Sequence, residues 1–127
     1  MDNNPKDRKQ IEQEVRTILS FHVGKQNPVS RWELVERIFG HEAAADRGNN
    51  NPFDRQIRTI IERYREVDFI CSSSGQAGYW LAADMSDVEI IVNDYVDRAR
   101  TMEEKARNLK KRGVEKFGPQ IELFKVN

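Results

Sequence analysis

The chain has a single cysteine, two histidines and no long apolar run, and each of these shortages excludes a class of protein. Cys71 alone cannot form an internal disulfide, which excludes a disulfide-stabilised extracellular scaffold. No apolar segment approaches the length of a signal-peptide core or of a membrane-spanning helix. We therefore expect a cytoplasmic protein that does not have a membrane as a partner.

The chain also lacks an excess of either charge, because 21 basic residues balance 21 acidic ones. Whole-chain charge therefore predicts neither nucleic acid nor a membrane surface as a partner, and any electrostatic argument must be local. A length of 127 residues is enough for one modest core and too short for two independent ones. We expect one domain with appendages.

Residues of the types that usually act in catalysis are too few and too scattered along the sequence to form a recognisable active site. His22, His41 and Cys71 lack the spacing of metal ligands, and also that of a nucleophile with its base. The acidic residues lie along solvated helix faces, and no glycine-rich loop follows a strand as in a phosphate-binding site. We expect no enzymatic activity, cofactor or metal, and we interpret Cys71 as a small buried residue.

Periodicity and capping residues predict a first helix that follows a short polar arm. Residues 1–5 are expected to be a mobile arm. Asn4 is a candidate cap, Pro5 suits the first helical position, and Gly24 is a plausible stop. Apolar residues at helical spacing support this helix; they are Ile11, Val15, Ile18 and Leu19.

Two further helices each begin with a clear signal. Residues 28–29 suit a short extended segment, and Ser30 with Glu33 forms a capping box at the start of the second helix. Asn51 is a candidate cap for the third helix, with Pro52 as its first residue. The apolar face of the third helix leaves polar and charged residues pointing outward; they are Arg55, Arg58, Thr59, Glu62 and Glu66.

The segment FICSSSGQAGYWLAA, residues 69–83, predicts two short strands joined by a Ser/Gly/Gln loop. The connection GHEAAADRGNNN between the second and third helices is long, and EAAAD within it can form one helical turn. The order is therefore helix, short strand, helix, helix, hairpin. We predict a mainly helical α+β domain over residues 6–85, followed by a long C-terminal helix.

This order is that of a winged helix-turn-helix, and the residues resemble a known family. PVSRWELVERIFG and DRQIRTIIERYREVDFICSSSGQAGYWLA are similar to the N-terminal domain of biotin ligase/repressor proteins and to related small proteins of bacteria and phages. The likeness covers about residues 10–83, and its most specific part is the pattern I-x-S-x-x-G-x-x-GYWLA. The resemblance implies that the helix at about 52–66 is a recognition helix that lies in the major groove of DNA.

Positive charge is concentrated around that helix. Five arginines from Arg47 to Arg65 stand against only Asp54 and Glu62, whereas residues 1–85 as a whole are almost balanced. Arginine suits guanine edges or phosphates, and amides or hydroxyls suit adenine edges or the backbone of double-stranded DNA. The candidate DNA contacts are Arg47, Asn50, Asn51, Arg55, Arg58, Thr59, Ser73 and Gln76. The alternative is a solvated face on a winged helix that contacts only protein.

A long helix is predicted over residues 86–113, with Ser86 and Glu89 as a capping box. Its apolar residues step alternately by four and three, which is typical of a coiled coil; they include Val88, Val92, Tyr95, Ala99, Met102, Ala106 and Leu109. Residues 86–104 hold six acids and two bases, and residues 105–116 hold six bases and one acid. This gradient favours antiparallel pairing, so we predict a homodimer through this seam. The alternative is that the seam packs on the chain's own winged helix.

Residues 114–127 form a predicted tail that contains QIELF. Gln120, Ile121, Leu123 and Phe124 resemble the Q-[LI]-x-L-F pentapeptide with which bacterial replication and repair proteins bind the sliding clamp of the replicative polymerase. The resemblance implies that Gln120 hydrogen-bonds at the rim of a subsite, while Leu123 and Phe124 fill an apolar pocket. The alternative is that the apolar residues of the tail cover the helix seam.

Three functions fit these patterns. The first is a non-enzymatic phage or prophage accessory factor of replication or repair, which binds DNA through the winged helix and the sliding clamp through QIELF. The second is a dimeric winged-helix transcriptional regulator with a structural tail. The third is a winged helix used only for contact with protein.

Overall fold

The computed structural model describes residues 6–73 and 78–118. The described helices are α1 (Arg8–Leu19), α2 (Arg31–Phe39), α3 (Pro52–Asp68) and α4 (Met85–Phe117), with a one-turn 3-10 helix at His41–Ala44 between α2 and α3. The described strands are β1 (Val29–Ser30), β2 (Ile70–Ser72) and β3 (Gly78–Leu81). The predicted α+β class, mainly helical with a small sheet, is confirmed. The predicted arm at 1–5 lies outside the described residues.

The three strands form one antiparallel sheet in the order β1-β3-β2. Val29 pairs with Tyr79 on one side of β3, and Cys71 pairs with Trp80 on the other. The predicted hairpin and the predicted extended segment before α2 are both confirmed, and they belong to the same sheet. Residues 74–77, which connect β2 to β3, lie outside the described part of the chain.

The chain divides into two compact units, Met1–Ile91 and Val92–Asn127, so the division falls within α4. The first unit contains the core, to which α1, α2, α3 and the sheet all contribute. The predicted apolar faces are confirmed, because their residues are buried; they include Val15, Leu19, Leu34, Val35, Ile57, Ile60 and Ile61.

The bounds of α1 differ from the prediction. The helix begins at Arg8, and the side chain of Asp7 accepts a hydrogen bond from the Gln10 backbone N–H at 2.8 Å. Lys6 and Asp7 are not helical, so the predicted start with Pro5 in the first turn is wrong. Aspartate caps a helix as well as asparagine does, which is why a candidate cap at Asn4 could not exclude a later one.

The predicted end of α1 at Gly24 is also wrong, since the helix ends at Leu19. The Ser20 hydroxyl donates to the Thr17 carbonyl, and the chain then turns toward the sheet. Gly24 has a φ of +91°, and its N–H donates to the Leu81 carbonyl at 2.8 Å. Glycine tolerates this left-handed conformation, and Gly24 therefore allows the turn after α1 to reach the end of β3, to which it is hydrogen-bonded.

The starts of α2 and α3 follow the prediction. The Ser30 hydroxyl accepts from the Glu33 backbone N–H at 3.0 Å. The Asn51 side-chain oxygen accepts from the backbone N–H groups of Phe53 at 2.9 Å and of Asp54 at 3.1 Å. These side chains satisfy backbone donors that a helix start leaves without partners, and they fix where each helix begins.

The start and end of α4 both differ from the prediction. Asp84 is the cap rather than Ser86, because its Oδ1 accepts from the backbone N–H groups of Ser86 and Asp87 at 3.0 and 3.2 Å. The Ser86 hydroxyl also donates to this carboxylate, which lowers the pKa of Asp84 below its ordinary value. The helix continues through residue 113 to Phe117, since one glycine in a long helix costs only about 1 kcal/mol relative to alanine.

A polar network holds α1 against α3. The Arg16 guanidinium donates to both carboxylate oxygens of Asp68, at 2.7 and 2.9 Å, and lies over the Tyr64 ring. The Tyr64 hydroxyl donates to Glu12 at 2.7 Å, and Arg63 forms an ion pair with the same carboxylate. The hydrogen bond to Glu12 raises the pKa of Tyr64, because an anion beside the hydroxyl disfavours its ionisation.

Cys71 lies in β2 and is fully buried, which makes the stability of the fold depend on pH. Burial raises the pKa of its thiol to about 11. Between about pH 9 and pH 11 the unfolded chain releases this proton while the folded chain keeps it, so the free energy of unfolding falls as pH rises. We expect Cys71→Ala to make this fall shallower in urea titrations.

We also expect the thiol of Cys71 in the folded chain to resist a disulfide reagent at pH 9 that labels the unfolded chain. Rapid labelling of the folded chain would contradict this expectation.

Candidate nucleic-acid interface

The outward face of α3 is exposed as predicted. Ile57 and Ile60 turn toward the core, which leaves Arg55, Arg58 and Thr59 on the solvent side. The Thr59 hydroxyl donates back to the Arg55 carbonyl at 3.0 Å. This face belongs to the N-terminal half of the helix, where the helix dipole favours anionic ligands.

The loop before α3 brings further polar residues next to this face. Arg47 and Asn50 are both exposed in that loop. The Arg58 guanidinium donates to the Asn49 carbonyl at 3.4 Å, which links the helix to the loop. Five of the predicted contacts therefore lie on adjoining segments: Arg47 and Asn50 in the loop, and Arg55, Arg58 and Thr59 in the first half of α3.

Asn51 is a correction to the predicted contacts, because its side chain is only 3% exposed. Its amide nitrogen donates to the carbonyls of Ala43 and Asp46, both at 2.7 Å, while its oxygen caps α3. These bonds fasten the loop onto the helix start and occupy the groups that would contact a base. Asn51 therefore positions the start of α3, and its buried side chain is not exposed for contact with DNA.

A buried carboxylate organises the arginines around the start of α3. Asp54 is 0% exposed, and Arg31 at the start of α2 donates to both its oxygens, at 3.1 and 3.0 Å. Arg58 pairs with the same carboxylate at 3.0 Å. We name Asp54, Arg31 and Arg58 the Asp54 cluster. It carries two positive charges against one negative, and it joins α2 to α3.

Two of the five arginines around α3 do not contribute to its outward face. Arg65 is only 4% exposed, and its guanidinium donates to the Ile70 carbonyl at 3.3 Å and to the Ser72 hydroxyl at 2.8 Å. Arg63 pairs with Glu12 of α1. The positive charge presented by α3 and its loop therefore comes from Arg47, Arg55 and Arg58.

The structure adds two cations that the sequence reasoning missed. Lys6 and Arg8, at the start of α1, line a cleft together with Arg55 and Thr59 of α3. Lys6 is partly engaged, since its ammonium donates to Glu14 at 2.7 Å and to the Ile38 carbonyl at 2.6 Å. Both residues belong to the basic run KDRK, residues 6–9, which falls in the first turns of the predicted first helix.

We name Lys6, Arg8, Arg47, Arg55 and Arg58 the cationic face. Within the described residues, Arg47 and Arg55 form no ion pair. Arg8 lies 3.4 Å from Glu12, and Arg58 shares Asp54 with Arg31. The face therefore keeps a net positive charge that no described acid neutralises in full, and this suits a polyanionic ligand.

The predicted contacts in the wing are only partly described. Ser73 is half-buried, and its N–H donates to the Gly78 carbonyl at 3.3 Å at the end of the hairpin ladder. Gln76 lies outside the described residues. A DNA contact by either residue stays a prediction.

The predicted seam of α4 lies mostly on the second unit. Val92, Met102 and Leu109 are 49%, 66% and 72% exposed, and Ala99 and Ala106 are exposed as well. The remaining two predicted seam residues, Val88 and Tyr95, are half-buried. The predicted clamp-binding residues Gln120, Ile121, Leu123 and Phe124 lie outside the described part of the chain.

In residues 6–73 and 78–118, no cluster of three or more histidine, cysteine or acidic side chains is arranged to hold a metal ion. None of the described helices has both the length and the apolar character needed to cross a membrane. Comparison with known family models, curated proteins and solved structures found no match to this chain.

Proposed function

We propose that this chain is a non-enzymatic DNA-binding protein that places the N-terminal half of α3 in the major groove of duplex DNA. The observation that carries this proposal is the cationic face, in which Arg47, Arg55 and Arg58 surround the exposed start of α3. Helix-turn-helix proteins contact base edges with the N-terminal residues of the recognition helix. The arginines here stand at the corresponding end of α3.

The arrangement of elements supports the same proposal. Three helices are followed by a hairpin that pairs with the short strand β1, and β1 directly precedes α2. This is the order of a winged helix, in which the third helix reads DNA and the hairpin lies beside it. Under this proposal, Ser73 and Gln76 of the wing contact the phosphate backbone.

Charge along α3 gives the docking a direction. Arg55 and Arg58 lie in its first half and Arg47 in the loop before it, whereas exposed Glu62 and Glu66 lie in its second half. Phosphates attract the first half and repel the second, so the N-terminal end enters the groove. Arg55 and Arg58 are placed for guanine edges or phosphates, and Thr59 and Asn50 for nearby polar groups.

The start of α1 extends the contact beyond α3. Lys6 and Arg8 flank the cleft beside Arg55, and lysine and arginine at such positions grip phosphates without reading sequence. The hydrogen bonds of Arg16 to Asp68 and of Tyr64 to Glu12 join α1 to α3, which supports a contact shared by both helices.

The test is equilibrium binding of the intact chain to a short fluorescein-labelled duplex at low salt, where phosphate contacts are strongest. We expect saturable binding that salt weakens. No binding at the lowest salt would mean that the winged helix contacts only protein.

We further propose that QIELF binds the bacterial sliding clamp, which makes the protein an accessory factor of phage or prophage replication or repair. The supporting observation is the pentapeptide itself, which follows Gly118 at the end of α4. Gly118 has a φ of +71°, a left-handed conformation typical of the residue that ends a helix. Apolar anchors placed just beyond the end of a helix suit recognition of a peptide in a groove.

We expect the double substitution Leu123→Ala and Phe124→Ala to abolish binding to a purified sliding clamp, because the two apolar anchors supply most of the contact energy. Lys125→Ala is the matched control beside the pentapeptide and should bind as the intact chain does. Surface plasmon resonance measures both, and affinity for duplex DNA should be unchanged. Normal clamp binding by the double variant would contradict the assignment to QIELF. If the double variant instead loses its fold, the tail is structural and the transcriptional-regulator alternative gains support.

A further inference from the structure

The second unit exposes a row of apolar side chains along one side of α4. Val92, Met102 and Leu109 are all about half or more exposed, and they occur at alternating steps together with Ala99 and Ala106. A surface helix normally turns its apolar residues toward the rest of the protein and its polar residues toward solvent. A row of this kind marks a surface at which another helix packs.

We propose that this seam pairs with the same seam of a second copy in antiparallel orientation, with a defined register. In that register Val92 faces Leu109 of the second copy, Tyr95 faces Ala106, and Ala99 faces Met102. The two-fold axis passes between residues 100 and 101. The inference concerns α4 alone and holds whether or not the DNA-binding proposal does.

Side-chain size favours this orientation. Each alanine of the seam faces a large residue, because Tyr95 meets Ala106 and Met102 meets Ala99. In a parallel, in-register pair every residue faces its own copy, so alanine meets alanine and tyrosine meets tyrosine. That arrangement alternates voids with crowded layers, and both cost packing energy at the density of protein interiors.

Charge favours the same orientation. Residues 86–104 carry six acids and two bases, whereas residues 105–116 carry six bases and one acid. Antiparallel pairing places the acidic half of one copy beside the basic half of the other. Parallel pairing places like charges together along the whole helix, which raises the electrostatic free energy of the pair.

The substitutions Val92→Cys and Leu109→Cys test the register in a Cys71→Ala background. In the antiparallel pair the two copies of residue 92 lie about 25 Å apart, which is too far for a disulfide. We therefore expect the chain with both cysteines to form a covalent dimer on mild oxidation, and the chain with only the Val92→Cys change not to form one. Non-reducing electrophoresis separates the two outcomes.

A second pair of variants tests the seam itself. Met102→Lys places a charge in the central layer and should convert the dimer to a monomer in sedimentation velocity. Asn108→Lys adds the same charge at an exposed position outside the seam and should leave the dimer intact. Cross-linking by the Val92→Cys chain alone would overturn the antiparallel orientation, and a monomeric parent chain would overturn the pairing altogether.

Discussion

Replacement of Asp54 by alanine is expected to lower the free energy of unfolding by about 3 kcal/mol, a value at the lower end for breaking a buried ion pair. Asp54 is fully buried and accepts hydrogen bonds from Arg31. Its removal leaves the Arg31 side chain, which is only 20% exposed, without a compensating charge. Arg58 loses its partner as well, but its guanidinium can turn to solvent.

Urea denaturation followed by circular dichroism measures this loss. Asp97→Ala is the matched control, because Asp97 pairs with Arg100 at 3.9 Å with both side chains mostly exposed. Exposed pairs of this kind contribute at most about 0.5 kcal/mol. A loss for Asp54→Ala as small as that of the control would mean that the Asp54 cluster does not hold α2 against α3.

The combined substitution of Arg47, Arg55 and Arg58 by alanine is expected to weaken duplex binding by about a hundredfold, since three contacts of about 1 kcal/mol each are lost. The three side chains are exposed, and Asp54 keeps its pair of hydrogen bonds to Arg31 in the variant. The fold should therefore survive, and circular dichroism verifies this before binding is measured.

A control with the same charge change separates the interface from general electrostatics. Lys25, Arg37 and Arg100 are exposed cations outside the cationic face, and their combined replacement by alanine removes three positive charges. We expect this control to bind within about threefold of the intact chain, because distant surface charges are screened. An equal loss in both variants would show that the chain binds DNA through net charge alone.

Local signals were sufficient to predict the elements around the proposed interface. Ser30 and Asn51 are strong caps in front of strongly periodic segments, and both helices begin where these residues indicate. The bounds of α1 and α4 were predicted less well, because Asp7 and Asp84 compete as caps with nearby candidates. The sequence offers no energy difference large enough to choose between such candidates.

The candidate contacts were predicted only where the outward direction of a side chain follows from periodicity. Arg55 and Arg58 fall on the exposed face by that rule. Arg65, which was counted only in the positive charge around α3, follows Ile61 by four residues and shares its buried face, so its burial could have been predicted. The pairing of Asp54 with Arg31 could not have been predicted, because only the packing of α2 on α3 brings these two residues together.

The central claim is that the cationic face of α3 holds duplex DNA, and the salt dependence of binding tests it most directly. The measurement is the affinity of the intact chain and of the Arg47, Arg55 and Arg58 variant for one labelled duplex across a series of salt concentrations. Each lost phosphate contact reduces the slope of log affinity against log salt by about 0.9. The account predicts a slope shallower by about 2.7 in the variant, which loses three such contacts. Equal slopes, or no binding by the intact chain at the lowest salt, would contradict it.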